Sequence, residues 1–169
     1  MTEYAQSPAL RALVDEATKK SGLVWVRGTG RARPLWHVWL DGAAWVVGGG
    51  PGEQPLPEGL ATGARAEVTV PSKDKRGRLL SWTAQVAECA PGSAEWESAV
   101  GELRGKRLNA PDAESVPERW ARECRVLRLT PCAATTELPD ASAAARPAPS
   151  PATTRGPLPP ALGRRRRKG

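Results

Sequence analysis

Leu10, Leu13, Val14 and Ala17 recur at i, i+3, i+4 and i+7, the stripe of a helix that buries one face. Ser7-Pro8 ahead of them supplies a cap and a first-turn proline, and Lys19, Lys20 and Gly22 suit the far end, so the pattern predicts a helix over 8–21. The period then shortens. LVWVR at 23–27, PLWHVWL at 34–40 and AAWVV at 43–47 read as strands with both faces apolar, which points to a closed or doubly covered sheet. Asp41-Gly42 between the last two runs is a two-residue hairpin signal, and it sets Leu40 opposite Ala43, Val38 opposite Trp45 and Trp36 opposite Val47.

Residues 48–63 are a Gly/Pro-rich loop. Residues 64–70 and 79–89 alternate again, joined by the polar hairpin SKDKRGR. Ser93 opens a second helix, with Trp96, Val100 and Leu103 on one face, acidic residues in its first turn, and Arg104, Lys106 and Arg107 at its end. Residues 117–122 predict one or two helical turns, and 125–129 a sixth strand stopped by Pro131.

The expected fold is therefore mainly β with an α+β arrangement: a six-stranded antiparallel split β-barrel flanked by two to three helices. The expected domain spans 1–132. From residue 133 the chain is rich in Ala, Pro, Ser and Thr, so 133–169 is expected to be a disordered basic tail.

At 169 residues, 40% hydrophobic and 25% charged, the chain has ordinary globular composition for one domain. Its net charge of +7 belongs mostly to the tail, which carries seven basic residues against two acidic ones. Nucleic-acid contact is expected only through that tail, ending in RRRRK, and the tail's other reading is a solubilising one. There is no apolar run of the roughly 18 residues a membrane span needs and no signal-peptide pattern, so the expectation is a cytoplasmic protein. Three cysteines without CxxC spacing and a single histidine, His37, give no metal site and no disulfide framework. The tryptophans at 25, 36, 39, 45 and 82 each bury about 150–250 Å² when enclosed, more than one small barrel needs. Some of that surface is expected to close a dimer or a ligand slot.

The succession LVWVRGTGRARPLWHVWLDGAAWVVGG, a polar loop, then ARAEVTV and LLSWTAQV resembles the FMN-binding split-barrel superfamily, specifically its pyridoxamine 5′-phosphate oxidase-like group. The resemblance covers about residues 8–130. It implies a homodimer with flavin at the subunit interface, with Arg33, Leu35, Trp36 and His37 along the isoalloxazine ring and Val47, Gly48 and Gly49 beside the flavin or its phosphate. Where better-studied members carry a Ser-Arg-Lys type phosphate motif, this chain has GGGPGEQP, with no Lys or Arg before Arg65. Ser72 and Lys73 on the next loop are the expected substitutes, since a phosphate dianion needs charge-assisted donors.

The implied activity is an FMN- or deazaflavin-dependent oxidoreductase acting on a small molecule, with the cofactor carrying the chemistry and no side chain singled out as catalytic. The alternative is a non-catalytic split-barrel cofactor- or ligand-binding protein that has lost the flavin phosphate site, either without a cofactor or storing one. A third class is a small adaptor acting through its basic tail. Read from the residues alone, His37 is a buried, hydrogen-bonded histidine, the tryptophans pack core or interface, and Cys89 and Cys124 are small core residues.

Overall fold

The computed structural model describes residues 2–71, 79–107 and 110–137. A short helix α1 (Thr2–Gln6) precedes α2 (Pro8–Lys20), whose start is capped by Ser7: its Oγ accepts the Leu10 N–H at 3.2 Å. The strands are β1 (Leu23–Arg27), β2 (Arg33–Trp36), β3 (Val38–Leu40), β4 (Ala43–Gly48), β5 (Arg65–Val70), β6 (Leu79–Cys89) and β7 (Arg125–Glu137). Between β6 and β7 lie α3 (Ala94–Lys106), capped by Ser93, and α4 (Val116–Glu123).

All strand pairs are antiparallel, in the order β2-β1-β5-β6-β7-β4-β3. The two edges of this sheet, β2 and β3, are separated in the chain by His37 alone. The segment expected as one strand over 34–40 is thus bent at His37. Its first half pairs with β1 and its second with β4, so the sheet curls until its ends meet. That bend turns the expected six strands into seven, and the described residues hold four helices rather than two or three.

Two cores result. Inside the curl, Val24, Val26, Leu35, Ala44, Val46, Val68, Trp82, Leu127 and Leu129 pack together under Val14 of α2. Outside it, Trp45 and Val47 of β4, with Val38 and Val126, are covered by Trp96, Val100 and Leu103 of α3 and Trp120 of α4. Strand β4 is buried at every position because each face meets a different core, as its unbroken apolar run requires.

The hairpin at Asp41-Gly42 forms with both residues at positive φ, 51° and 71°, the type I′ geometry. Leu40 faces Ala43 and Val38 faces Trp45 as expected. Trp36 does not pair with Val47, because the bend carries β2 away first.

Strand β7 does not stop at Pro131. Opposite β6 the register shifts between Thr83 and Ala84, where Ala84 faces Pro131 and Thr83 faces Ala133. Cys132 is the extra residue of this bulge, its Sγ donating to the Thr83 carbonyl at 3.3 Å. A bulge interrupts the ladder where a proline has no N–H to give. The strand then runs to Glu137, past the expected boundary at 132, and the rest of the tail lies outside the described residues. No helix of the described residues is long and apolar enough to cross a membrane.

Candidate functional site

The bend at His37 leaves a split in the barrel wall between the end of β2 and the end of β4. The GGGPGEQP loop fills it. Gln54 lies across the gap with its side-chain amide: its Oε1 accepts the Trp36 N–H at 2.9 Å, and its Nε2 donates to the Trp36 carbonyl at 3.0 Å and the Val47 carbonyl at 2.9 Å. One side chain thus replaces the ladder bonds that direct pairing of Trp36 with Val47 would have made.

The loop backbone follows Gln54 into the gap. The Gly49 N–H donates to the Gln54 carbonyl at 3.0 Å, and a Cβ on Gly48 would come within 2.4 Å of that oxygen. Only glycine lets the loop approach β4 this closely. Further along, the Thr29 N–H donates to the Glu58 carbonyl at 3.0 Å and Arg125 Nη2 donates to the Leu60 carbonyl at 2.6 Å, so the loop is tied down along its length.

Beside Gln54, Glu53 turns its carboxylate into the molecule, where the side chain is 1% exposed. Two arginines from outside the loop meet it. Arg107, following α3, is 3.2 Å away through Nε, and Arg119 of α4 is 3.0 Å away through Nη2. Arg119 also pairs with Asp112 at 2.6 Å and donates to the Pro51 carbonyl at 3.1 Å; Arg107 donates to the Gly52 carbonyl at 3.2 Å. The hydrogen bond from Arg119 holds the Asp112 carboxyl below its usual range, and Asp112 in turn raises the Arg119 guanidinium. A buried carboxylate persists only when paired and hydrogen-bonded, and the two arginines meet that need.

The residues expected along a flavin ring occupy different environments. Arg33 is exposed, Leu35 is enclosed in the inner core, and Trp36 is half-buried with its N–H and C=O both held by Gln54. His37 is fully buried. Its Nε2 lies 2.9 Å from the Thr18 carbonyl and must donate there, while Nδ1 meets no donor among the described residues. Burial pushes the imidazole down to about 4, against the smaller upward pull of the Thr18 bond, with Lys106 adding a further push down. Val47 and Gly48 are buried under the loop, and Gly49 leaves β4 at φ 84°. Ser72 and Lys73 lie outside the described residues.

Among the described residues, the groups that the resemblance sets beside a flavin mononucleotide are engaged within the chain itself. The backbone groups of Trp36 that would edge the ring are spent on Gln54. The space beside Gly48 holds the Gln54 carbonyl. The loop that would carry phosphate-binding cations instead presents Glu53, and the arginines that reach it are paired to carboxylates. Among the described residues there is also no cluster of His, Cys, Asp and Glu able to hold a metal ion.

Gln54, Glu53, Arg107, Arg119 and Asp112 were not among the residues expected at a site. GEQP reads as loop composition, and nothing in its spacing announces a side chain that stands in for a strand.

No protein-family model matches the sequence, and no curated protein matches it. Solved structures do. A Listeria innocua protein assigned as a pyridoxamine 5′-phosphate oxidase is 10% identical with a TM-score of 0.52, over 75% of this chain and 97% of its own. The heme storage protein HutZ of Vibrio cholerae is 11% identical with a TM-score of 0.51, over 75% of this chain and 93% of its own. An FAD and heme binding protein of Mycobacterium smegmatis is 18% identical with a TM-score of 0.50, over 90% of this chain and 93% of its own. The chain shares its fold with these proteins. At these identities the likeness concerns the fold, and function has to be argued from the site.

Proposed function

We propose that this chain is a non-catalytic split-barrel protein of the pyridoxamine 5′-phosphate oxidase-like type, a small-ligand binder in which the GEQP loop has replaced the flavin-phosphate site. The observation that carries this reading is the triple hydrogen bonding of Gln54 to Trp36 and Val47. Releasing it to admit a ring would strand an N–H and two carbonyls in a largely buried split, at about 1–3 kcal/mol for each group left unpaired. The visible absorption spectrum of the freshly purified protein tests the reading. A colourless protein is expected, and a flavin band would overturn it.

The working unit we propose is a homodimer. Leu23 and Trp25 stand on the outer face of β1 at 41% and 44% exposure, and Pro34 faces Trp25 across the strand pair. A second copy covering this apolar stripe accounts for tryptophan surface that the barrel itself does not enclose.

A second reading is an FMN- or deazaflavin-dependent oxidoreductase. It is favoured by the likeness to the M. smegmatis FAD and heme binding protein across 90% of this chain. On that reading the loop would have to leave the split, and saturable flavin binding would decide for it.

A further inference from the structure

On the far side of Trp36 from the inner core, a pocket of about 340 Å³ opens between the turn after α2 and the end of α3, lined by Gly22, Trp36, Lys106 and Arg107. Three of its features are chemical. Trp36 contributes indole surface to the lining and is held from behind by Trp120, whose ring centre lies 6.5 Å away. Gly22 leaves the wall open: a Cβ there would meet no atom within 4 Å. The exposed Lys106 brings a charge that no described residue pairs with.

The charge count is local. Arg107 and Arg119 are matched by Glu53 and Asp112 in the network behind the pocket. Among the described residues Lys106 makes no ion pair or side-chain hydrogen bond; the residue is exposed, and what desolvation it has lowers its ammonium from the usual lysine value. The exposed Lys106 ammonium and the Trp36 indole line the same pocket, so one ligand can meet a charged donor and an aromatic surface together.

We infer that this pocket binds a planar aromatic monoanion about the size of two fused rings, the ring seated against Trp36 and the carboxylate or equivalent group on Lys106. The volume lies at the lower end of small-molecule sites, which excludes a dinucleotide but accommodates a bicyclic acid. The single unmatched charge selects one anionic group over a phosphate dianion. This inference rests on reading the chain as a ligand-binding barrel and gives that reading its ligand class.

The test is calorimetric titration of the full chain with 2-naphthoate and with its neutral analogue 2-naphthamide. Saturable binding of naphthoate at one site per chain is expected, with naphthamide weaker by about ten-fold or more. Lys106→Gln should bring naphthoate down to the naphthamide level without changing naphthamide. Gly22→Leu, which fills the pocket from an unstrained and open position, should abolish both. Equal affinity for acid and amide, naphthoate binding indifferent to either substitution, or no saturation by about 5 mM would overturn the inference. A flavin band in the purified protein would overturn the functional reading instead, so the two failures are told apart.

Discussion

Gln54 does the work of a strand partner with one side chain, and its removal should be felt accordingly. Gln54→Ala leaves the Trp36 N–H and the Trp36 and Val47 carbonyls without partners. The expected loss is about 2 kcal/mol in urea unfolding, well above the usual cost of a surface substitution. His37 makes the complementary prediction about pH. Its folded-state value of about 4 lies below the ordinary 6.5, so the unfolded chain takes up the proton first. Stability is full above about pH 6.5 and falls as pH drops toward 4, by up to about 3 kcal/mol from this group. His37→Gln keeps an amide donor for the Thr18 carbonyl and should flatten the stability profile between pH 7 and 5. An unchanged slope in that variant would contradict the assignment. The two residues differ in legibility. A lone histidine among apolar neighbours already reads as buried and bonded, because no carboxylate accompanies it. Gln54 sits in a stretch whose Gly and Pro content reads as loop, and its role depends on a split that only the closed sheet creates.

At the scale of elements, most of the pattern was legible because its causes are local. The helix after Ser7, the type I′ turn at Asp41-Gly42 and the alternation in 64–70 each follow from periodicity or turn chemistry, although the face of the helix that is buried is Val14 with Thr18, and Leu13 of the expected stripe stands 45% exposed. The departures have non-local causes. The strand over 34–40 is interrupted because closing the curl forces its halves onto different neighbours, β1 and β4. Pro131 fails to end β7 because a bulge at Cys132 absorbs it, and a bulge has no sequence signature here. The loop 49–60 is ordered because glycines let it press against β4. Gly48→Ala should therefore push the Gln54 backbone out of the split, since the new Cβ would lie 2.4 Å from the Gln54 carbonyl. The expected readout is a lower midpoint of thermal unfolding together with faster hydrogen exchange at the Trp36 amide. A lower midpoint without faster exchange would mean that the loop stays in place.

For the whole molecule, the sequence indicated the class of barrel and the surplus of tryptophan, but not which tryptophans remain outside. Trp82 and Trp120 are enclosed while Trp25 stands 44% exposed, a division set by which face of the sheet the helices cover. Trp25→Glu on the outer face of β1 should shift the sedimentation coefficient from dimer to monomer without unfolding the barrel, because the side chain stands 44% exposed and is not one of the buried core residues. Wild-type protein sedimenting as a monomer at micromolar concentration would contradict the dimer. On the proposed reading, the chain's own loop holds the edge where a flavin would lie. Titration of the protein with FMN, followed by quenching of flavin fluorescence, tests it most directly. Wild-type protein is expected to show no saturable binding. Stoichiometric binding of one FMN per chain would contradict it and return the barrel to flavin chemistry.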